Sequence, residues 1–258
     1  MKSLFVPFSV DQHFNIKFLA AAQLVLFLVL WNFFPGTGLP NLVDIAHQWN
    51  VLALEQGLLI ELWASIKTIT VALAISMVLS TVIGALVTAD IFKPVGSLVS
   101  AFRFLGFAGL TFIFTLWTAD GYQFKLALLT FGITVFMTTN IIAEVRAIPQ
   151  SEIDYARTLK LSGWRITWEI FIRGRMHTLL DLLRQNAAIG WTLLSMVEGL
   201  VRSEGGIGAL LITQNKFFVL SGVFAIQLTI LAYGIFQDYV LRWLTTLACP
   251  YMNTVRNK

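Results

Sequence analysis

Long runs of apolar residues, separated by short polar stretches, form the main pattern of this sequence. A helix needs about 20 predominantly apolar residues to cross the hydrocarbon core of a bilayer, and six runs are about that long or longer. The third run contains Gly106, Ala108 and Gly109, small residues that allow close helix contact or a bend. The pattern predicts an all-α integral membrane protein with about six transmembrane helices. They cover residues 18–34, 58–89, 96–117, 124–143, 179–200 and 219–247.

The first run has the alternative interpretation of a signal peptide. A signal peptide has a shorter apolar core that ends in small residues, whereas this run ends in the bulky sequence Trp31-Asn32-Phe33-Phe34. We therefore favour a retained first helix. The stretch 35–56 carries Asp44 and Glu55 but no Lys or Arg, which predicts an acidic loop outside the cell.

The cations of the chain lie at the ends of the apolar runs. Cytoplasmic loops of membrane proteins are enriched in Lys and Arg, so six crossings with the N-terminus inside fit their distribution. This topology predicts a cytoplasmic segment 1–17, a single transmembrane domain 18–248 and a cytoplasmic tail 249–258. The cations predicted outside are Lys125, Arg202 and Lys216, and those predicted inside include Lys93, Arg242, Arg256 and Lys258.

Composition supports the membrane class and excludes several functions. The 258 residues are 57% hydrophobic and 12% charged, with a mean hydropathy of +0.77. Soluble domains carry about 25% charged residues. The net charge of +4 is spread along the chain, which does not favour a nucleic-acid partner. One cysteine, three scattered histidines and the lack of a Gly-x-x-x-x-Gly-Lys-Ser/Thr motif indicate no metal site, no catalytic site and no cofactor bound by this chain.

A charged, amphipathic insert at 148–175 separates the fourth and fifth predicted helices. Pro149 ends the preceding helix, and Ser151 then suits an N-cap, with Asp154 three residues later as the acidic half of a capping box. A break is predicted at Ser162-Gly163, because Gly permits unusual backbone angles and Ser can cap a new helix. After the break, helical spacing predicts one apolar face formed by Leu161, Trp164, Trp168 and Phe171.

The run DYARTLKLSGWRITWEIFI in this insert resembles the EAA motif of the permease subunits of bacterial ABC importers, typically E-A-A-R-T-L-G-A-S. Asp154, Tyr155 and Ala156 stand at the E-A-A positions, and Lys160 stands where the family has Gly. In that family the motif forms a cytoplasmic coupling helix that binds in a cleft of the ATPase. The resemblance implies an ATPase-coupling site at Glu152, Asp154, Ala156, Arg157, Thr158, Leu159, Lys160, Ser162, Gly163 and Trp164.

A second similarity lies downstream of the insert. Arg184, Trp191, Glu198 and the run 203–208 resemble the nitrate, sulfonate and taurine branch of that family, whose pattern is roughly R…W…E…S-x-G-x-G. This similarity implies a small anion as substrate. The family's partners are a cytoplasmic ATPase dimer that binds ATP and magnesium, a second identical or related permease chain, and an external solute-binding protein. The implied location is the bacterial inner membrane, with both termini in the cytoplasm.

Polar residues within the predicted helices are candidates for the solute path, because ionisable groups at membrane depth usually face a bundle interior or water. Each of them also has the alternative of a packing hydrogen bond between helices. Arg184 has the further alternative of reaching the interface, and Glu198 that of an ion pair with Arg202. The path candidates are Thr138, Thr139, Asn140, Arg184, Asn186, Trp191, Ser195 and Glu198.

The glycine-rich run 203–208 predicts a tight turn before a short or re-entrant helix, and Gly205, Gly206 and Gly208 are candidates for an outer gate. Two other classes of protein stay open. An ion-driven transporter or channel needs no ATPase and typically has intramembrane carboxylates or paired broken helices. A membrane scaffold would share a docking insert, and an insert resting on lipid head groups would also be cationic and contain Trp.

Overall fold

The computed structural model describes residues 16–33 and 40–250, and within them all regular secondary structure is helical, as predicted. The predicted segment 1–17 and tail 249–258 lie almost entirely outside these residues. The helices are α1 (Ile16–Phe33), α2 (Leu42–Leu54), α3 (Leu58–Val87), α4 (Lys93–Ala101), α5 (Phe107–Trp117), α6 (Gly121–Arg146), α7 (Gln150–Thr158), α8 (Gly163–Ile166), α9 (Met176–Leu200), α10 (Ile207–Lys216) and α11 (Leu220–Ala248). Short 3₁₀ segments cover Asp90–Phe92, Phe102–Phe104 and Arg202–Glu204, and a π-helical segment covers Thr167–Arg173.

Three helices, α3, α6 and α11, are long and apolar enough to cross a membrane. A fourth crossing is counted if the bent pair Asp90–Phe104 and Gly109–Trp117 forms one span. The described residues therefore have the character of an all-helical, multi-pass membrane protein. Five of the predicted segments coincide with single helices, α1, α3, α6, α9 and α11. The number of six crossings stays a prediction.

The third predicted helix, 96–117, is not continuous, and the prediction of one helix was wrong. The segments before and after Leu105 and Gly106 are bent by 114° relative to each other. These two residues have extended backbone, with ψ angles of 124° and 132°, which ends the helical hydrogen-bond ladder. Of the two alternatives, close helix contact or a bend, the bend is what forms, since a Cβ on Gly106 would meet nothing within 4 Å.

The stretch predicted as an acidic outer loop contains a helix, α2, at Leu42–Leu54. Ile45 and Leu52, seven residues apart on one helix face, are buried in the main apolar cluster. Trp49 Nε1 donates a hydrogen bond to the Thr229 hydroxyl of α11 at 3.0 Å. The loop prediction was wrong here because contacts with a helix about 180 positions later stabilise this segment. Residues 34–39 lie outside the described residues.

The core is built where α3, α6 and α9 pack against one another. Small residues bring α3 and α6 close together, and Ser76 and Ser80 of α3 donate to the backbone carbonyls of Thr130 and Thr134 at 3.1 and 3.2 Å. A Cβ on Gly84 would lie 2.3 Å from the Ile141 side chain, so this position needs glycine for the close approach.

Candidate functional site

The insert forms an elbow of two short helical pieces, α7 and the unit made of α8 and the π segment. The elbow, residues 150–173, begins at Gln150 because the extended Pro149 is the N-cap residue, and no side chain caps this end. The predicted Ser151 cap and capping box were therefore wrong. Asp154 instead accepts hydrogen bonds from Gln150 and Arg157 within α7, both at 3.2 Å.

The corner of the elbow is a Schellman motif, in which two backbone hydrogen bonds close the end of a helix around a left-handed residue. Leu161 N–H donates to the Ala156 carbonyl at 3.3 Å, and Lys160 N–H donates to the Arg157 carbonyl at 2.9 Å. Lys160 has a φ of 55°. The predicted break lies close to this corner, but the residue with the unusual backbone is Lys160, not Gly163. Lys160 is also the position at which the resemblance leads us to expect glycine.

The π segment after the corner separates residues that helical spacing had placed together. Gly174 N–H donates to the Glu169 carbonyl at 2.9 Å, which is the i→i+5 pattern of a π turn. Phe171 is buried, whereas Trp164 and Trp168 are each 58% exposed. The predicted single apolar face was therefore wrong, because a π turn changes the angle between successive residues. Ser162 holds the extended N-cap position of α8 without a side-chain cap bond.

Three contacts attach the elbow to the helix bundle. Phe171 packs in an apolar cluster with Met137 and Ile141 of α6 and with Leu179 and Leu182 of α9. A second contact joins the hydroxyls of Thr167 and Thr88, which lie 2.9 Å apart at the end of α3. A third is the ion pair of Glu152 with Arg175, at 3.5 Å. The elbow is therefore in contact with α3, α6 and α9.

The other side of the elbow is open. Tyr155 and Leu159 of α7 are exposed, and so are the two tryptophans of the second piece. A groove of about 520 Å³ lies between α7 and the π segment. Its lining includes Glu152, Tyr155, Ala156, Leu159, Glu169 and Ile170. The open side combines apolar rings, cations and a concave surface, which is chemistry suited to a protein partner.

A second structured region surrounds the glycine-rich run 203–208. As predicted, this run forms a turn that is followed by a short helix, α10. Gly205 and Gly206 have φ angles of 64° and 105°, which favour glycine. A Cβ on Gly208 would lie 2.4 Å from the backbone oxygen of Ser195. These glycines are therefore required by backbone geometry and by the close approach of α10 to α9.

Polar side chains from three helices hold this turn, and we name them the glycine-turn cluster: the half-buried Glu61 and the buried Ser65 of α3, the buried Lys125 of α6 and the buried Glu198 of α9. Ser65 Oγ accepts from the Ile207 N–H at 2.9 Å and donates to Glu198 Oε1 at 2.7 Å. Glu198 Oε2 accepts from the Gly208 N–H at 2.8 Å. Glu61 accepts from the Gly206 N–H.

Lys125 completes the cluster from the opposite side of the turn. Its ammonium group donates to the carbonyls of Glu204 and Gly205 at 3.1 and 2.7 Å, and the residue is only 3% exposed. Lys125 was predicted to be an outer-loop cation, but it lies within α6, and the side of the membrane that this end of α6 faces stays a prediction. Glu198 is 1% exposed and bonded to Ser65 and Gly208, so the alternative ion pair with Arg202 does not form.

Sequence reasoning missed Glu61, Ser65 and Lys125. Glu61 and Lys125 each lie near the start of an apolar run. The sequence did contain a signal for two of them. Glu61 stands near one end of the run 58–89 and Lys125 near one end of the run 124–143, and the other residues of both runs are almost all uncharged.

Most of the path candidates make hydrogen bonds inside the helix packing. Thr138 donates to Ser80 Oγ at 3.1 Å, and Thr139, Asn186 and Ser195 each donate to a backbone carbonyl four residues earlier. Asn140 is half-buried on α6. Only the Thr138 bond joins two helices, as the packing alternative describes, whereas the other three lie within a single helix. These contacts do not bring the candidates together at one point.

Arg184 and Trp191 instead connect α9 to α11. The Arg184 guanidinium lies 2.9 Å from Asp238 and 3.5 Å from Asp181. Trp191 Nε1 donates to Gln237 Oε1 at 2.5 Å. Arg184 is thus paired with two carboxylates, and it belongs to a different region from Glu198.

Comparison of the sequence with protein-family models and with curated proteins gives no match. Within the described residues, no group of three His, Cys, Asp or Glu side chains could hold a metal ion. The class that the described fold defines is therefore an all-helical protein with several helices apolar enough to cross a membrane. Its two structured polar regions are the elbow and the glycine-turn cluster.

Proposed function

We propose that this chain is the membrane-spanning permease subunit of an ATP-driven importer of the ABC class, and that the elbow docks a cytoplasmic ATPase. The observation that carries the proposal is the elbow itself. It presents exposed Tyr155 and Leu159 on one side. On the other side it is anchored through Phe171 and Thr167 to three long helices. An exposed surface rigidly joined to a helix bundle has the mechanical properties of a lever.

The charges of the elbow also suit a partner protein. The Asp154–Arg157 pair is exposed on both sides, so it contributes about 0.5 kcal/mol or less to the stability of the free chain. Both groups therefore remain available to a charged partner surface. Arg165 lies on α8 next to Trp164, and Lys160 projects at the corner. Complementary charge on the ATPase would speed encounter and fix orientation.

In this proposal ATP and magnesium bind to the partner ATPase. Closure of the ATPase dimer moves the elbow, and Phe171 passes the movement to α6 and α9. Two permease chains, identical or related, enclose the path, and an external solute-binding protein delivers the solute. The glycine-turn cluster is the proposed outer gate. The proposed location is the bacterial inner membrane, with six crossings and cytoplasmic termini.

The proposed substrate is a small anion such as nitrate, a sulfonate or taurine. This part rests on the resemblance of residues 184–208 to that branch of the family. Arg184 does not supply a free positive charge for an anion, because Asp181 and Asp238 lie within 3.5 Å of its guanidinium. An anion site in this chain would therefore use backbone N–H groups or residues of the second permease chain.

The proposal is tested by co-purification of the tagged chain from bacterial membranes, with a nucleotide-hydrolysis assay on the purified material. We expect an ATPase to co-purify with the unchanged chain. Tyr155→Asp should lower the ATPase yield at least five-fold, whereas Phe217→Asp should leave it unchanged. Phe217 is the matched control, because it is an aromatic residue of similar exposure at the end of α10. Purification without any ATPase would favour an ion-driven transporter or a scaffold.

A further inference from the structure

Helix α9 has an exposed polar stripe that the packing of the described residues leaves uncovered. Asp181, Gln185, Ala188 and Thr192 are spaced at i, i+4, i+7 and i+11, which places them on one helix face. None of the four is buried, and three of them are polar. The residues buried on the opposite side of α9 include Leu182, Asn186, Ala187, Gly190, Trp191 and Leu194. Helix α9 has 25 residues, but it is not among the described helices that are apolar enough, by length and composition, to cross a membrane.

Helix α11 has a face that is polar at its two ends. Gln227, Leu231, Gly234 and Asp238 recur at i, i+4, i+7 and i+11, and both Gln227 and Leu231 are exposed. A Cβ on Gly234 would meet nothing within 4 Å, so this part of the face is open. The Arg184–Asp238 ion pair joins the two helices. It places the Asp181 end of the α9 stripe beside the Asp238 end of the α11 face.

A centred position of α11 in the bilayer would place the charges at this junction inside the hydrocarbon core. Helix α11 has 29 residues and Asp238 is ten residues before its end. At about 1.5 Å per residue, against a hydrocarbon core of about 30 Å, a centred α11 would place Asp238 roughly 8 Å inside the core. The side chains of Asp238 and Asp181 are 43% and 46% exposed. Half-exposed carboxylates at that depth need water or protein around them.

We infer that the polar stripe of α9, together with the Gln227–Asp238 face of α11, lines a water-filled path through the membrane. This inference rests on the proposed transport function, because it identifies the surface along which the transported solute would move. The path wall is neutral at its charged end, where Asp181, Arg184, Asp238 and Arg242 alternate in sign within 3.5 Å contacts. Such a wall favours a hydrated polar solute over an apolar one.

The test is the reaction of single cysteines with a charged, membrane-impermeant thiol reagent in full-length protein held in lipid nanodiscs. The native Cys249 is buried, so the unchanged chain provides a low background. We expect Thr192→Cys and Gln185→Cys to react at least ten-fold faster than Phe236→Cys. Phe236 is the matched control, because it is an exposed residue at a similar depth on the other side of α11.

Two results would overturn the inference. Equal, slow reaction of all three cysteines would mean that lipid covers the stripe. Slow reaction of Thr192→Cys with a disulfide-linked dimer under oxidation would mean that a second copy covers it. Thr192→Ser, checked for an unchanged elution profile, controls for folding.

The path and the ATPase docking can fail separately. Fast reaction without a co-purifying ATPase would keep the path and remove the ABC proposal, and slow reaction with a bound ATPase would do the reverse.

Discussion

The elbow and the glycine turn both contain residues with a positive φ angle, but they differ in the residue type at that position and in how the surrounding helices enclose it. Both are sharp turns before a short helical piece, and both need positive φ angles. The glycine turn uses Gly205 and Gly206 and encloses them between buried side chains of three helices, including Glu198 and Lys125. The elbow uses Lys160 and leaves its corner open. The comparison teaches that one turn is fixed from all sides, whereas the other is fixed on one side and free on the other.

The two regions also treat charge differently. In the glycine-turn cluster, Glu198 and Lys125 are almost fully buried and each makes two short hydrogen bonds. Buried charges that are fully hydrogen-bonded are tolerated, but removing one partner is costly. In the elbow, the pairs Asp154–Arg157 and Glu169–Arg173 are exposed and weak. Stability should therefore respond to polar substitutions in the first region and partner binding to those in the second.

The largest effect is expected where the elbow meets the bundle. Phe171→Ala should lower the free energy of unfolding by about 3–5 kcal/mol, because a fully buried ring is lost from a packed cluster. Trp168→Ala, three residues earlier and exposed, should change it by about 1 kcal/mol or less. Thermal unfolding of the detergent-solubilised protein measures both. Equal effects would mean that the elbow is not anchored through Phe171.

Next comes a pair of identical substitutions in the two turns. Gly208→Ala should destabilise by about 3 kcal/mol, because its Cβ would lie 2.4 Å from the Ser195 oxygen and backbone must move. Gly163→Ala should stabilise by about 0.5 kcal/mol, since its Cβ meets nothing within 4 Å and alanine reduces the freedom of the unfolded chain. Denaturant titration of both variants measures the two changes in the free energy of unfolding. A tolerated Gly208→Ala would show that α10 is less closely attached to α9 than described.

A smaller contrast is expected between two cations. Lys125→Met removes two charge-assisted hydrogen bonds from buried carbonyls and should cost about 2 kcal/mol. Arg157→Met removes an exposed ion pair and should cost about 0.5 kcal/mol or less. Arg157→Met should nevertheless weaken ATPase co-purification, which Lys125→Met should not. The reverse assignment of the two phenotypes would contradict the division of roles.

The smallest effect is expected at the corner of the elbow. A left-handed conformation costs a residue with a Cβ about 1–2 kcal/mol, whereas glycine adds roughly 0.5–1 kcal/mol of unfolded-state entropy. Lys160→Gly should therefore stabilise the chain by about 0.5 kcal/mol. Lys160→Ala is the control, because it removes the charge but keeps the Cβ. If the two variants have the same stability, the backbone at Lys160 is not the source of the effect.

The long helices could be predicted from the sequence because each is a long apolar run. The bend at Leu105-Gly106 was predicted only as one of two alternatives, because small residues allow either close helix contact or a bend, and the sequence does not show which peptide units become extended. The π segment at Thr167–Arg173 was not predicted. A π turn alters the spacing between successive residues, and the predicted apolar face depended on regular α-helical spacing. The local sequence pattern therefore predicted the helices but not the exact backbone form of their irregularities.

The site was partly predictable in the same sense. The elbow and its corner lie within one short stretch, so their position was found within a few residues. The glycine-turn cluster joins Ser65 to Glu198, which are 133 positions apart, and no local pattern indicates that contact. The pairing of Arg184 with Asp238, which are 54 positions apart, is also long-range in sequence. Long-range polar contacts were therefore the part that only the packed helices reveal.

The most direct test of the central claim is photo-crosslinking from the elbow in intact bacterial membranes. A photoreactive amino acid replaces Leu159, which is exposed at the end of α7, and in a matched variant it replaces Phe217. The account predicts that light joins Leu159 to a nucleotide-binding protein, that ATP changes the yield, and that the Phe217 position gives no such product. A Leu159 variant that crosslinks only to lipid, or to no ATP-binding protein, would contradict the account.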